Sequence, residues 1–329
     1  MITICVDAMG GDEEPSVVLE GIAAALDADP ELSVLVAGNE DAVVPFCANH
    51  QRAKALVTTE VIEMGEHPAD AVRAKKDSSI VQGCAAVRKG EADGFFSAGS
   101  TGAIFAAATL GVGRIRGIKR PALATPLPGL DGHRTVVLDL GANADVRPEM
   151  IVQFAQMGRA YAHVTLGVED ARVGLLSNGT EEAKGSEAVI AEHQALAAAG
   201  CGFVGNAEGS DLLLGNFDVI VTDGFAGNVA LKSMEGTAKY MLKRIKAAVG
   251  DSKRAALGAL MLKPAMKEIA ADLTGDEYGG AILLGLKAPV LIGHGATSAK
   301  AVHMGTAACA NAVRGGLVGK MTEMLAQAQ

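Results

Sequence analysis

Residues 218–232, DVIVTDGFAGNVALK, contain a strand-like run, a glycine turn and the start of a helix. The run 218–222 is short and apolar, which predicts a buried strand, and a helical pattern follows from Gly227 onward. Gly224 and Gly227 lie at the turn, where glycine lets the backbone approach a ligand closely. N–H groups at a helix start attract anions. The unit is therefore either a tight structural turn or an anion-binding turn.

Strand-like and helix-like runs alternate along most of the chain. Strands are predicted at residues 2–6, 33–37, 56–62, 93–97, 134–140, 172–177, 218–222 and 289–292. Helices are predicted at residues 16–26, 79–89, 101–111, 149–166, 181–199, 227–249 and 296–313. The alternation predicts an α/β fold: a three-layer α/β/α sandwich in which helices cover both faces of a mostly parallel sheet. We find no linker, so residues 1–329 are expected to form a single unit.

Composition excludes several classes of protein. The chain carries a net charge of -9, has 3% aromatic residues and lacks tryptophan, so nucleic acid is not an expected partner. Five scattered cysteines without C-x-x-C spacing favour reduced thiols in the cytosol. The chain opens on a strand-like run and has no stretch of about 20 apolar residues, so neither a leader peptide nor a transmembrane helix is expected.

Glycines with Ser, Thr, Asn or Asp follow many of the predicted strands. These turns lie at residues 7–12, 97–103, 139–143, 177–185, 223–228 and 293–298. Ligands of such sheets bind beyond the carboxyl ends of the strands. Taken together, the turns favour a polar, phosphate-binding crevice over a set of purely structural turns.

Two side chains in these turns are candidates for chemistry. Lys184, just before Gly185, would hold a phosphate oxygen or stabilise an oxyanion, or it is a solvated lysine. Asn228 starts the predicted helix 227–249, where an asparagine is either an N-cap or a donor to a carbonyl or phosphate oxygen. The residues alone leave both alternatives open.

Familiar catalytic signatures are missing from the sequence. Residues 111–117, GVGRIRG, lack the G-x-G-x-x-G spacing, and the chain has no P-loop, no G-x-S-x-G elbow and no H-E-x-x-H. The seven histidines show no metal-ligand spacing. We therefore expect an enzyme that handles anions with neither a metal, a cofactor nor a covalent nucleophile.

Four of the turns together resemble the phosphate acyltransferase (PlsX) family, the acyl-ACP:phosphate transacylases. The matching elements are DAMGGD at 7–12, SAGSTGA at 97–103, LDLGAN at 138–143 and DGFAGN at 223–228. The four elements occur in the family's order, and the resemblance extends over nearly the whole chain. Residues 176–185, LSNGTEEAKG, depart from the family's I-G-x-E-x-x-K-G-like run but keep Glu182, Lys184 and Gly185.

The resemblance implies that inorganic phosphate attacks the thioester of acyl-ACP, which gives acyl phosphate and free ACP for phospholipid synthesis. It also implies a fold like that of isocitrate and isopropylmalate dehydrogenases, a homodimer, and a cytoplasmic enzyme that contacts the membrane peripherally. Lys184 and Asn228 match the catalytic positions. We predict substrate and phosphate binding at Asp7, Gly10, Gly11, Gly99, Ser100, Thr101, Gly102, Asn143, Asp223, Gly224, Gly227 and Ser298.

Residues 239–267 differ from the rest of the chain, because they carry eight basic residues against one acid and include the apolar run 255–262. By the resemblance, residues 236–273 form a protruding helical hairpin that packs on the dimer mate and touches anionic membrane. Its apolar tip would be Leu257, Leu260, Met261 and Leu262. The same basic surface could instead dock acidic ACP, or the hairpin could be buried between protomers. Whether a downstream acyltransferase is also a partner is a question that the sequence leaves open.

Two rival functions use the same observations. The first is a β-decarboxylating dehydrogenase or another phosphate-transfer enzyme of this fold, and the dehydrogenase would need acidic metal ligands and a Tyr–Lys pair. The three tyrosines, Tyr161, Tyr240 and Tyr278, do not lie in such a motif. A non-catalytic membrane scaffold would explain the basic segment but not the polar turns.

Overall fold

A computed structural model describes residues 1–250, 258, 260–264 and 279–326. The described strands form one mixed sheet. They are β1 (Ile2–Asp7), β2 (Leu32–Gly38), β3 (Ala53–Val57), β4 (Gly94–Ser97), β5 (Ala122–Pro128), β6 (Arg134–Leu138), β7 (Val173–Leu176), β8 (Phe203–Ala207), β9 (Val219–Val221), β10 (Ala281–Leu284) and β11 (Val290–Ile292).

Helices connect most of the strands. The described ones are α1 (Pro15–Ala28), α2 (Glu40–Ala48), α3 (Pro68–Ala74), α4 (Ser79–Lys89), α5 (Thr101–Gly111), α6 (Pro148–Leu166), α7 (Glu187–Ala199), α8 (Gly224–Gly250), α9 (Ala299–Arg314) and α10 (Leu317–Ala326). Short 3-10 turns occur at Leu130–Gly132 and Gly209–Leu213.

The sheet consists of two parallel groups joined by antiparallel strands. Its order is β3-β2-β1-β4-β11-β10-β5-β6-β9-β7-β8. Strand β10 is antiparallel to both β11 and β5, and β5 is antiparallel to β6. The group from β3 to β11 therefore runs in the opposite sense to the group from β6 to β8. Each group has its own carboxyl edge, where its connecting turns lie.

Helices bury both faces of this sheet, which confirms the predicted three-layer α/β fold. Alternate residues of β1 show it: Ile4 belongs to a core that includes Phe154 of α6 and Val302 of α9. Cys5 belongs to the opposite core, with Ile80 of α4 and Ile104 of α5. Successive strand residues point to opposite faces, so one strand supplies both cores.

Glycines let two helices approach the central strand β4 closely. A Cβ at Gly83 of α4 would lie 2.3 Å from the ring of Phe95, and a Cβ at Gly305 of α9 would lie 2.1 Å from the ring of Phe96. Both phenylalanines are fully buried. The helices therefore hold β4 from either side, and β4 ends at Ser97.

Three helix starts differ from the sequence prediction by three residues or more; one is that of α9, which begins at Ala299 rather than 296 with Ser298 as its N-cap. Helix α7 begins at Glu187 rather than 181, because Gly185 takes a φ of +107° and the Ser186 side chain accepts a bond from the Val189 N–H as N-cap. Lys184 therefore lies in the turn before the helix. Helix α8 begins at Gly224 rather than 227, so Asn228 is inside its second turn and its interpretation as an N-cap is wrong.

Helix α8 is the longest described helix, with 27 residues and a length of about 40 Å. Most side chains between residues 236 and 248 are exposed. Residues 260–264 are again helical. The predicted hairpin 236–273 is described only in these parts; Leu257 and the return half of the hairpin lie outside the described residues.

Candidate active site

The first polar cluster lies at the carboxyl ends of β1, β4 and β11. Because Val6 pairs with Phe96 and Ile292 with Ser97, the register places Asp7 beside Ser97. The Ser97 hydroxyl donates to Asp7 Oδ2 at 2.6 Å, and Ser97 Oγ accepts the Gly99 N–H at 3.0 Å. The Met9 N–H donates to Asp7 Oδ1 at 2.9 Å. Asp7 is 1% exposed, so its carboxylate fixes the turns on either side.

Glycine is required where these turns touch. A Cβ at Gly10 would lie 2.6 Å from Asp7 Oδ2 and 2.7 Å from the Gly99 nitrogen. The turn after β11 joins the cluster, since the Asp12 N–H donates to the Gly295 carbonyl at 2.8 Å. The predicted residues Gly10, Gly11 and Gly99 are therefore brought together.

Two helices start at this cluster. Ser100 is the N-cap residue of α5, and Thr101 and Gly102 form its first turn. Ser298 caps α9, and its side chain accepts the Ala301 N–H at 3.1 Å. Free N–H groups at these helix starts give the cluster positive potential suited to an anion.

The second cluster lies at the carboxyl ends of β6 and β9 and is organised by Asp139, which is fully buried. Asp139 Oδ1 accepts the N–H groups of Leu123 and Ala142, each at 3.0 Å. Asp139 Oδ2 accepts the backbone N–H of Asn143 at 2.7 Å and its side-chain amide at 2.8 Å. This network holds the loop from Asp139 to Asn143 in one conformation. Asp139 is not among the binding residues predicted from the sequence.

The start of α8 packs on that loop. The Gly224 N–H donates to the Asn143 carbonyl at 2.7 Å, and a Cβ at Gly227 would lie 2.0 Å from the Asp139 carbonyl oxygen. Asp223 accepts the Ala226 N–H at 2.6 Å and so caps the helix. Asn228 lies against Gly141, where an added Cβ would be 3.6 Å from the Asn228 side chain. The Asn228 side chain is exposed beside a rigid loop.

Lys184 occupies a turn that other groups hold in place. The Lys184 N–H donates to the Glu181 carbonyl at 3.0 Å, and the Asn206 side-chain amide donates to the same carbonyl at 2.9 Å. Asn206 Oδ1 is in turn 2.9 Å from His193 Nδ1. The Lys184 side chain is exposed and forms no ion pair within the described part of the chain. A fixed turn thus presents a free cation.

The described contacts join five of the six predicted turns into two clusters. The sixth turn, 177–185, which carries Lys184, is held by Asn206 of β8 instead. The turns after β1, β4 and β11 form one cluster, and those after β6 and β9 form the other. The cause is the antiparallel pair β10 and β5, which reverses strand direction between the two groups. The catalytic candidate Asn228 belongs to the second cluster.

Glu192 of α7 is a titratable group that no sequence motif indicates. It is 4% exposed, and burial together with the nearby Asp223 carboxylate raises the pKa of Glu192 to about 7. Asp223 directly precedes α8, so Glu192 lies near the start of that helix. The one signal in the sequence is its context, an acid on a helix with an otherwise apolar face.

We expect Glu192→Gln to stabilise the protein at pH 8 but not at pH 5. The pKa of Glu192 is raised from 4.5 to about 7, so its contribution to stability is full below pH 4.5 and is lost as the pH rises through about 7. Glutamine stays neutral and avoids this loss. Thermal unfolding should show a Tm gain of about 2–5 °C at pH 8. Glu187→Gln, on the exposed side of the same helix, is the control; an equal gain at both pH values would contradict this origin.

The five cysteines are poor nucleophiles. All are free thiols, and burial raises the pKa of each: Cys5, Cys47, Cys84, Cys201 and Cys309. Nucleophilic attack needs the thiolate, which these surroundings disfavour. Among the described residues, no group of three or more His, Cys, Asp and Glu side chains is placed to hold a metal ion.

Solved structures define the class of fold. The chain is similar to a phosphotransacetylase from Streptococcus pyogenes, with a TM-score of 0.61 and 16% identity over 100% of this chain and 95% of that one. It is also similar to 4-hydroxythreonine-4-phosphate dehydrogenase from Klebsiella pneumoniae, with a TM-score of 0.50 and 14% identity over 95% of this chain and 100% of that one. At these identities the likeness concerns the fold alone, a dehydrogenase-related α/β architecture.

Sequence comparison then gives the family. The model of the family described as fatty acid synthesis protein matches residues 2–320. A relative from Levilactobacillus brevis, named phosphate acyltransferase, is 50% identical over 304 residues, covering 91% of this chain and 88% of the relative. The chain belongs to the phosphate acyltransferase family, which confirms the resemblance and the prediction of an enzyme of that family.

Proposed function

We propose that this protein transfers a fatty acyl group from acyl-ACP to inorganic phosphate, giving acyl phosphate and free ACP for phospholipid synthesis. Membership of the phosphate acyltransferase family supports acyl transfer to phosphate. The observation that carries the proposal is the exposed Asn228 side chain, which lies beside Gly141 in the loop that the buried Asp139 network holds. Lys184 adds a free cation on a fixed turn.

The chemistry needs no covalent relay. Phosphate is a competent nucleophile at neutral pH, so one of its oxygens forms a bond to the thioester carbon. The C–S bond then breaks, and the thiolate of the carrier leaves and takes up a proton. Orientation of the two reactants supplies about 7–11 kcal/mol of barrier reduction. One donor to the tetrahedral oxyanion contributes about 2.7–4 kcal/mol.

The proposal gives each candidate residue a role. Asn228 donates to the oxyanion, and Lys184 neutralises negative charge on phosphate or on the oxyanion. The N–H groups at the start of α5, around Gly99, Ser100, Thr101 and Gly102, together with those near Ser298, are proposed to cradle phosphate. Asp7, Asn143, Asp223, Gly224 and Gly227 position the surrounding turns, as their buried contacts indicate.

The test is release of free thiol from palmitoyl-ACP by the wild-type enzyme, with and without inorganic phosphate. The proposal expects release that depends on phosphate and produces palmitoyl phosphate in equal amount. Release at the same rate without phosphate would point to a thioesterase. No release under either condition would move the proposal to another acyl donor or to the scaffold function.

Homodimerisation and membrane contact are the second part of the proposal. Large apolar side chains are exposed along α8: Phe225, Val229, Tyr240, Met241 and Ile245. Burying them against a second copy would remove this surface from water. Beyond them, Leu260, Met261 and Leu262 are 65%, 78% and 60% exposed and adjoin Lys263. None of the described helices combines the length and the apolarity that crossing a membrane requires. These three residues instead would insert into the interface of an anionic membrane on its cytoplasmic side.

We expect the variant Leu260→Ser, Met261→Ser, Leu262→Ser to bind anionic vesicles at least about tenfold more weakly, because three exposed apolar side chains no longer enter the lipid. Sedimentation with phosphatidylglycerol vesicles measures this. Val44→Ser and Val57→Ser, which replace exposed valines elsewhere, serve as the control. If vesicle binding persists while binding of ACP is lost, the segment docks the carrier instead.

A further inference from the structure

A basic pocket that no sequence motif indicates lies between α5, the loop before β5 and the start of α6. Its cavity volume is about 420 Å³. The residues that matter here are Thr109 of α5, Arg114, Lys119, Arg120 and Pro121 of the loop, and Arg147 at the start of α6. Four of these six side chains are cations.

The positive charge of this pocket is only partly compensated. Arg147 pairs with Glu149 at 3.3 Å, and Arg114 donates to the Lys119 carbonyl. Within the part of the chain that the structure describes, the Lys119 ammonium and the Arg120 guanidinium form no ion pair. The whole chain carries a net charge of -9, so this cavity, with four cations around it, is locally positive in a protein that is negative overall. The site suits a compact anion.

Thr109 adds a polar group without a partner. Its Oγ1 atom is buried and makes no hydrogen bond among the described residues. Thr109 lies two turns after Thr101 along α5, on the same side of the helix as Phe105. A buried hydroxyl without a partner is costly, and an anion oxygen in the pocket would accept a hydrogen bond from it.

The pocket adjoins the second polar cluster. The Pro121 carbonyl, on the pocket wall, accepts the Asn143 side-chain amide at 2.8 Å, and Asn143 belongs to that cluster. The first cluster lies at the other end of α5, since Thr109 is eight residues, about 12 Å, beyond Thr101. An anion bound here would therefore lie next to the loop against which the start of α8 packs.

We propose that this pocket binds a phosphoryl group, with Arg120, Lys119 and the Thr109 hydroxyl as its direct donors. The phosphoryl group is either inorganic phosphate or the phosphate that attaches the pantetheine arm of the carrier protein. The choice between these two sources rests on the proposed function, whereas the binding of a phosphoryl anion rests on the pocket itself.

The experiment is calorimetric titration of inorganic phosphate and, separately, of 4′-phosphopantetheine into the wild type, Arg120→Gln, Lys119→Gln and Thr109→Val. Losing one charge-assisted bond should raise the Kd of the bound probe by about tenfold or more. Arg116→Gln removes the same charge from an exposed residue of the same loop outside this pocket, and it should change the Kd less than about twofold. Thermal unfolding confirms that each variant is folded.

The probe that responds identifies the source. A change for inorganic phosphate makes the pocket a second phosphate site, separate from the cradle proposed at the start of α5, and a change for 4′-phosphopantetheine makes it a site for the carrier's arm. The inference is overturned if Arg120→Gln, Lys119→Gln and Thr109→Val alter the Kd of either probe no more than Arg116→Gln does. Failure of the proposed function looks different: the wild type would release no thiol in response to phosphate, while probe binding still depended on Arg120.

Discussion

Lys184→Ala is expected to lower kcat/KM for phosphate-dependent thiol release from palmitoyl-ACP by about 10²–10³-fold. The side chain is exposed and unpaired in the described part of the chain, so nothing in the fold depends on it. In the proposed mechanism its ammonium neutralises negative charge on phosphate or on the oxyanion. Losing that charge removes electrostatic stabilisation of the transition state. Steady-state thiol release at saturating and limiting phosphate separates an effect on phosphate binding from one on catalysis.

The controls for Lys184 are a conservative variant and a matched surface lysine. Lys184→Arg should retain part of the activity, since it keeps the charge but places it differently. Lys89→Ala, at the exposed end of α4, should leave kcat/KM unchanged. The free energy of unfolding of Lys184→Ala should stay within about 0.5 kcal/mol of the wild type. Activity near the wild-type level in Lys184→Ala would remove this residue from the proposed site.

Asp139→Ala should lower the free energy of unfolding by about 4–6 kcal/mol. The buried carboxylate accepts the N–H groups of Leu123, Ala142 and Asn143 and the Asn143 amide. Alanine would leave these donors buried without acceptors. Such a loss is a large share of the roughly 5–15 kcal/mol that holds a typical domain folded. Urea unfolding followed by circular dichroism measures it.

Two other variants show whether hydrogen bonding is the cause. Asp139→Asn keeps one acceptor oxygen but turns an amide NH₂ toward the Asn143 donors, so an intermediate loss is expected. Asp41→Ala, on the exposed start of α2, should change stability by less than about 0.5 kcal/mol. If Asp139→Ala were as stable as Asp41→Ala, the network would not hold the loop that carries Asn143.

Sequence periodicity misses strands β5, β8 and β10, although β5 and β10 are largely buried, and it places β3 at 56–62 instead of Ala53–Val57. Strand β5 contains Pro126 and Pro128, which argue against a central strand. In the structure, β10 pairs only with the first half of β5, up to Ala124, so both prolines lie where β5 has β6 as its partner on one side only. Strand β10 has four residues between glycines, too few for a periodic signal. Both β5 and β10 become strands through pairing with segments that are remote in the sequence, which periodicity within one segment does not indicate.

The sequence predicts the candidate site where glycine and polar residues follow a clearly apolar, strand-like run. That pattern identifies Gly10, Gly224 and Gly227, each of which the structure packs too tightly for a side chain, and Gly99, where a Cβ would lie 3.1 Å from the end of Ile80. It gives no signal for Arg120 or Thr109, because their meaning depends on a cavity formed by three separate elements. The predicted helix 181–199 starts too early because its helical pattern continues across Gly185, which the structure places in the preceding turn.

The position of β10 and β11 in the sheet has a consequence for biosynthesis. These strands come from residues 281–292, yet they lie at the centre, between β4 and β5. A growing chain emerges from the ribosome with β1–β9 complete while the two halves of the sheet still lack the strands that join them. The edges of β4 and β5 then stay open to other strands until the last sixth or so of the chain arrives. The native centre of the sheet therefore cannot form before residues 281–292 have been synthesised.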